Sequence, residues 1–122
     1  MSRVDELNKI LRVLQSGTPD IEACALISED GLVIASALPQ HIEETRVAGM
    51  SATLLALGTR AAAELSRGEL EQVLIRGKQG FVVMVGAAPG TLLMTLTRPE
   101  AKLGLIFLDL GRAATDVRKV LA

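Results

Sequence analysis

Aromatic side chains are almost absent from this 122-residue chain, which has no tryptophan, no tyrosine and only Phe81 and Phe107. Proteins that bind single-stranded nucleic acids stack bases on aromatic rings, so this composition argues against such a partner. The 13 basic and 14 acidic residues are scattered along the chain and give a net charge of −1. Because no basic stripe is available for phosphate backbones, we expect no nucleic-acid partner.

Cysteine and histidine each occur once, as Cys24 and His41. A single cysteine excludes an internal disulfide and indicates a reducing compartment, so we expect a cytoplasmic protein. One cysteine and one histidine do not make the usual zinc site, and we expect no metal and no cofactor. Cys24 stands in a strand-like segment, where burial raises a thiol pKa and lowers its reactivity. His41 has no acid or nucleophile beside it in the sequence, which favours a surface histidine over a catalytic base.

Signatures of catalysis are also lacking. Residues 77–80, Gly-Lys-Gln-Gly, match only a fragment of the phosphate-loop pattern and lie between two predicted strands, whereas a phosphate loop opens a helix. The adjacent acids at 29–30 and 43–44 do not have the spacing of a calcium loop. We therefore predict that the chain is not an enzyme.

Long uncharged runs are few. Residues 47–59 are too few to span a bilayer, and residues 80–97 are interrupted by Gly86, Pro89 and Gly90. Turn residues at that spacing favour a hairpin. The N-terminus has no apolar signal core, so we expect no export and no membrane insertion.

Hydrophobic residues make up 49% of the chain, and their spacing predicts eight elements. Helices are expected at 4–14, at 43–66 and from 99–100 to the C-terminus, and strands at 21–28, 32–36, 71–76, 81–86 and 91–97. The predicted fold class is α/β (α+β), with the order α-β-β-α-β-β-β-α. We expect a five-stranded, mostly antiparallel sheet covered by helices on both faces, forming a single domain over 1–122.

The central helix is apolar on two sides. One stripe is expected to lie on the sheet and contains Val47, Met50, Leu54, Leu57, Ala61 and Leu65. The opposite side carries small residues and is predicted to meet its copy in a second subunit; it contains Thr45, Gly49, Ala52, Ala56 and Ala63. The alternative is that alanine is simply the best helix former on an ordinary surface.

Residues beside these two features complete the predicted interaction site. The strand at 71–76 is polar enough for a sheet edge, and we predict that Glu71, Val73 and Ile75 contribute to a dimer interface across it. The alternative is an unpaired edge protected by its charges. Four residues of the central helix either frame a docking surface for another protein or are ordinary solvated side chains: Arg46, Thr53, Arg60 and Glu64.

The order of elements and several phrases resemble the Roadblock/dynein light-chain family. Residues 21–36, IEACALISEDGLVIAS, resemble its first hairpin, and LGLIFLDL at 103–110 followed by GRAATDVRKVL resembles its last segment. The resemblance covers essentially the whole chain. It implies a homodimer with paired central helices and a shared sheet.

The resemblance also implies a function. Free-standing chains of this length resemble the MglB-type prokaryotic regulators of gliding motility and cell polarity, which act on a small Ras-like GTPase as GTPase-activating partners. Arg46 and Arg60 are conceivable arginine fingers, although nothing in the sequence singles them out. The alternative is a passive dimeric scaffold for motor or signalling complexes without effect on nucleotide hydrolysis. A third, weaker alternative is an enzyme or small-molecule sensor, because the layout also resembles profilin-like and sensory folds.

Overall fold

The computed structural model describes residues 2–122. Eight elements follow one another in the predicted order: α1 (Arg3–Gly17), β1 (Ile21–Ser28), β2 (Val33–Ala37), α2 (Glu44–Glu64), β3 (Gln72–Gly77), β4 (Gly80–Gly86), β5 (Thr91–Thr97) and α3 (Leu103–Leu121). The five strands fall within one or two residues of their predicted limits. Helix α3 begins at Leu103, a few residues later than Pro99 and Glu100 suggested.

The strands form one sheet in the order β2-β1-β5-β4-β3. All four neighbouring pairs are antiparallel, and the pairing of β1 with β5 at the centre joins distant parts of the chain. The predicted five-stranded sheet is confirmed, and β3 lies at an edge as expected.

Helices cover both faces of the sheet. On one face, α1 and α3 bury leucines such as Leu11 and Leu110 against the strands. On the other face, α2 packs over a smaller cluster that includes Ile27 and Met94. Successive strand residues point to opposite faces, so a sheet covered twice needs apolar residues at nearly every central position. This explains the almost unbroken apolar runs of β1 and β5.

Helix ends are set by local hydrogen bonds. The Ser2 hydroxyl accepts a hydrogen bond from the Asp5 backbone N–H and caps α1. Helix α2 ends earlier than the predicted Arg67-Gly68 stop. Ser66 has a left-handed φ of 58°, and the Arg67 backbone N–H reaches back to the Ala62 carbonyl over 2.7 Å. A serine therefore takes the place that glycine usually has in this helix-ending motif.

The β3–β4 hairpin depends on one glycine. Gly80 has a φ of 143°, and a Cβ at this position would collide with the backbone carbonyl of Thr97. Gly77, on the other side of the turn, has an ordinary conformation with more space around it. The glycines at 77–80 belong to a strand–turn–strand unit, which agrees with the expectation that this segment is a turn.

Candidate protein-interaction surface

Helix α2 approaches the sheet through small residues. Ala48 and Ser51 are its two buried side chains. A Cβ on Gly58 would come within 3.1 Å of Leu70 and 3.3 Å of Val73, so the helix backbone lies very close to the sheet at that point. Because the helix sits so low, its large apolar side chains are at most partly buried.

One side of α2 is an apolar surface that is exposed except at the half-buried Leu54. We call it the apolar flank and define it as Met50, Leu54, Leu57, Ala61 and Leu65. Met50 is 55% exposed, Leu57 58% and Leu65 68%. The sequence predicted that this stripe, together with Val47, lies on the sheet. That is correct for Val47 and Leu54 but wrong for the other residues of the flank. Large side chains were expected in the core, whereas the smaller Ala48 and Ser51 occupy it. Several neighbouring large apolar side chains left in solvent are typical of a protein-interaction surface.

The small residues lie on the other side of α2, beside the β1–β2 turn. Gly31 in that turn is close enough that a Cβ on it would lie 3.8 Å from the Ala52 Cβ. Gly49, Ala52 and Ala56 line a groove there, whose opposite wall includes Asp30. Ala52 is half-buried, whereas the remaining members are exposed: Thr45, Gly49, Ala56 and Ala63. Their place in a dimer interface stays a prediction, and the apolar flank is a second candidate on the same helix.

The outermost line of α2, between these two sides, is polar. We call its members the polar crest: Arg46, Thr53, Arg60 and Glu64. Arg46 forms an ion pair of 3.3 Å with Glu43, and Arg60 one of 2.9 Å with Glu64. The Thr53 hydroxyl donates to the Gly49 carbonyl. Exposed pairs of this kind contribute at most about 1 kcal/mol each, so a partner that offers better contacts can replace them.

The β3 edge continues this surface along the sheet. Val73 is half-buried beside Gly58, and Ile75 is exposed on the same face as α2 because it pairs with Val82. Leu74 is exposed on the opposite face. Glu71 is exposed and immediately precedes the strand.

Charges along this edge are divided by sign. Glu69 and Glu71 precede β3, whereas Arg76 and Lys78 stand at its far end. The Arg76 guanidinium lies 5.9 Å from the centre of the Phe81 ring.

Chemically reactive groups are sparse around this surface. Burial raises the pKa of Cys24 to about 12, so the thiol stays protonated at neutral pH. His41 is exposed in the segment before α2. Within residues 2–122, no three histidine, cysteine, aspartate or glutamate side chains converge as a metal site would require. In the same range, no helix is both long enough and apolar enough to cross a membrane.

The model of the Roadblock/LC7 domain matches residues 7–97, which include the whole sheet and α2. The chain therefore belongs to the Roadblock/LC7 domain family, as the sequence resemblance predicts.

The chain is similar to other proteins over nearly its whole length. The uncharacterized protein MJ0310 of Methanocaldococcus jannaschii is 37% identical over 113 residues, which cover 93% of this chain and 91% of that protein. Among solved structures, Myxococcus xanthus MglB superposes with a TM-score of 0.90 at 20% identity, over 99% of this chain and 91% of that chain. A structure described as MglB with tetrameric arrangement superposes with a TM-score of 0.87 at 18% identity, over 98% of this chain and 90% of the other. At these identities the two structures establish a common fold.

Proposed function

We propose that the chain is a homodimeric, non-enzymatic regulatory adaptor that binds a small Ras-like GTPase and modulates its nucleotide cycle. One observation carries the proposal: large apolar side chains of α2 and of the β3 edge, among them Leu57, Leu65 and Ile75, are left exposed on the same face of the sheet. Membership of the Roadblock/LC7 family, and the MglB fold in particular, supports the choice of partner.

The apolar flank and Ile75 of β3 lie toward the same end of the strands. The small residues of α2 lie beside Gly31, at the end of the strands where β3 begins. The apolar flank therefore faces the opposite end of the strands, where Ile75 lies about 7 Å beyond Val73. We infer that a second copy contacts both features.

The helix supports a two-fold contact. Arg46 and Glu64 stand nine residues on either side of Leu55, on the polar crest next to the apolar flank. If two α2 helices pair antiparallel about that point, Arg46 of one subunit lies near Glu64 of the partner subunit. Each helix then covers the apolar flank of the other, which removes that surface from water.

The edge strand supports the same symmetry. An antiparallel pairing of two β3 strands about Leu74 places Val73 opposite Ile75 of the partner subunit. It also brings the acidic start of one strand, Glu69 and Glu71, to the basic end of the other. Opposite charges across neighbouring strands favour such pairing, whereas two parallel edges would bring like charges together.

In this dimer the polar crests of both α2 helices remain on one outer surface. We infer that the GTPase contacts this surface through Arg46, Thr53, Arg60 and Glu64. The present ion pairs and hydrogen bond of these side chains can be exchanged for contacts with a partner. An arginine that reached the nucleotide would stabilise the charge of the transition state. In the free chain, Arg46 and Arg60 are both exposed and point outward.

The test uses purified chain and a Ras-like GTPase from the same cell, loaded with GDP or with a non-hydrolysable GTP analogue. We expect binding that depends on the nucleotide and a changed hydrolysis rate. The Arg60→Ala variant should weaken either effect, and Arg98→Ala, an exposed arginine outside α2, is the control.

The alternative function is a passive scaffold without effect on hydrolysis. The self-paired charges of the polar crest favour this alternative, because Arg46 and Arg60 already have acidic neighbours. Binding that is equal in both nucleotide states, with an unchanged hydrolysis rate, would establish the scaffold. If no GTPase of that cell binds in either state, the proposed partner is wrong.

A further inference from the structure

A second uncovered apolar surface lies on the opposite face of the sheet, on the outer side of α1 and α3. We call Val13, Leu105 and Leu108 the outer patch; each of them is at least half exposed. Val13 borders a groove of about 390 Å³ between the two helices, with Ile10 and Ala113 among its lining residues. Neither α2 nor β3 lies on this side, so the proposed dimer and GTPase contacts leave the outer patch in solvent.

The charge of this layer differs from that of the α2 side. Helices α1 and α3, with the cap residue Lys102, carry seven basic and four acidic side chains. Helix α2 with its cap Glu43, together with residues 29–30 and 67–71, carries three basic and seven acidic side chains. The α1–α3 helices with Lys102 therefore carry a net charge of +3, whereas α2 and the named segments carry −4.

The basic and apolar residues lie on the same outward line of α3. At about 100° per residue, Arg112 and Lys119 follow Leu105 and Leu108 along this line. Asp109 and Asp116 border this line on the side toward α1, where they line the groove together with Lys9 and Arg112. Asp109 accepts a hydrogen bond of 2.7 Å from the Thr18 hydroxyl.

We propose that this outer face of α1 and α3 docks onto an anionic lipid surface. Side chains that insert at the headgroup level, flanked by lysine and arginine, are the combination that interfacial binding requires. Such docking needs no spanning helix. It places Val13, Leu105 and Leu108 at the boundary of the acyl chains and Lys9, Arg12, Arg112 and Lys119 near the phosphates.

Symmetry favours a lipid surface over an acidic protein. In the dimer proposed above, the two-fold axis is perpendicular to the shared sheet, so the α1–α3 layers of both subunits face the same way. A bilayer contacts both layers at once. The second contact is then intramolecular, which raises the overall affinity of the dimer for the membrane. The α2 face then points away from the membrane, toward a protein partner. The gain from two layers rests on the proposed dimer, whereas the lipid-binding surface of a single subunit does not depend on it.

The test is co-sedimentation of the full chain with vesicles of phosphatidylcholine alone or mixed with phosphatidylglycerol. We expect binding only to the mixed vesicles, and loss of binding at high salt because surface charges are then screened. The double variant Arg112→Gln/Lys119→Gln should bind at least about tenfold more weakly. The double variant Leu105→Ser/Leu108→Ser should also lose binding while its charge is unchanged.

The matched control is Arg67→Gln/Arg98→Gln, which removes two exposed basic residues from outside the α1–α3 layer and should bind like the unmodified chain. Light scattering on each variant separates this proposal from the dimer. If the chain is monomeric and still binds the mixed vesicles, the lipid proposal stands and the proposed dimer is wrong. The lipid proposal is wrong if the chain is dimeric and stays in the supernatant, or if the α3 variants bind as well as the control. An acidic protein is then the partner that remains for this face.

Discussion

Replacement of Leu57 by alanine should weaken the dimer without weakening the fold. Leu57 is 58% exposed in the single subunit, and alanine is at least as good a helix former as leucine. Full burial of a leucine side chain is worth about 1.5–3 kcal/mol, so covering the exposed part adds about 0.9–1.7 kcal/mol per subunit. Two-fold symmetry doubles this contribution to about 2–3.5 kcal/mol per dimer.

Since alanine keeps the Cβ and its contacts, the lower half of that range applies, and the dimer Kd should rise roughly 30- to 100-fold. Sedimentation over a dilution series measures this Kd. Leu108→Ala is the control, because Leu108 is 50% exposed in a helix on the other face of the sheet. If both variants keep the Kd of the unmodified chain, or both lose it equally, the apolar flank is not the interface.

Three further outcomes follow from the structure. Leu74→Cys should form a disulfide-linked dimer under mild oxidation, because Cα atoms of a hydrogen-bonded antiparallel pair lie about 5.5 Å apart, within disulfide range; absence of a covalent dimer on a non-reducing gel would exclude the pairing about Leu74. Gly80→Ala should destabilise the fold by several kcal/mol in thermal or denaturant unfolding, because the added Cβ would collide with the Thr97 carbonyl. Gly77→Ala should change the stability little. Equal unfolding midpoints for the two variants would contradict this account of the hairpin. Burial raises the pKa of Cys24 to about 12, so the folded state holds its proton more tightly than the unfolded state and stability falls as pH rises above about 9. A Cys24→Ala variant should lose less stability over that range, and equal losses would show that the thiol is not responsible.

Most of the fold follows from local patterns in the sequence. Apolar runs bounded by turn residues located β1, β4 and β5 because a sheet covered on both faces selects apolar side chains at consecutive positions. The polar residues Glu71, Gln72 and Arg76 correctly indicated an edge strand, because the edge of a sheet tolerates charged side chains. The end of α2 was missed because Ser66 adopts the left-handed conformation that sequence reasoning assigns to glycine.

The sequence did not predict which side of α2 faces the sheet. A helix with apolar residues on two sides has two orientations that satisfy burial, and larger side chains usually decide between them. Here the closeness of helix and sheet at Gly58 selects Ala48 and Ser51 for the core. That closeness depends on contacts with Leu70 and Val73, which belong to the segment after the helix and do not enter the periodicity of α2 itself. The charge difference between the two faces likewise appears only when the fold brings α1 and α3 together.

The dimer is the central claim, and its molar mass in solution tests it most directly. Light scattering on the unmodified chain, over a range of concentrations, should give twice the 12.9 kDa mass of one chain. A mass of one chain at every concentration would contradict the account, because the apolar flank and the β3 edge would then remain in solvent.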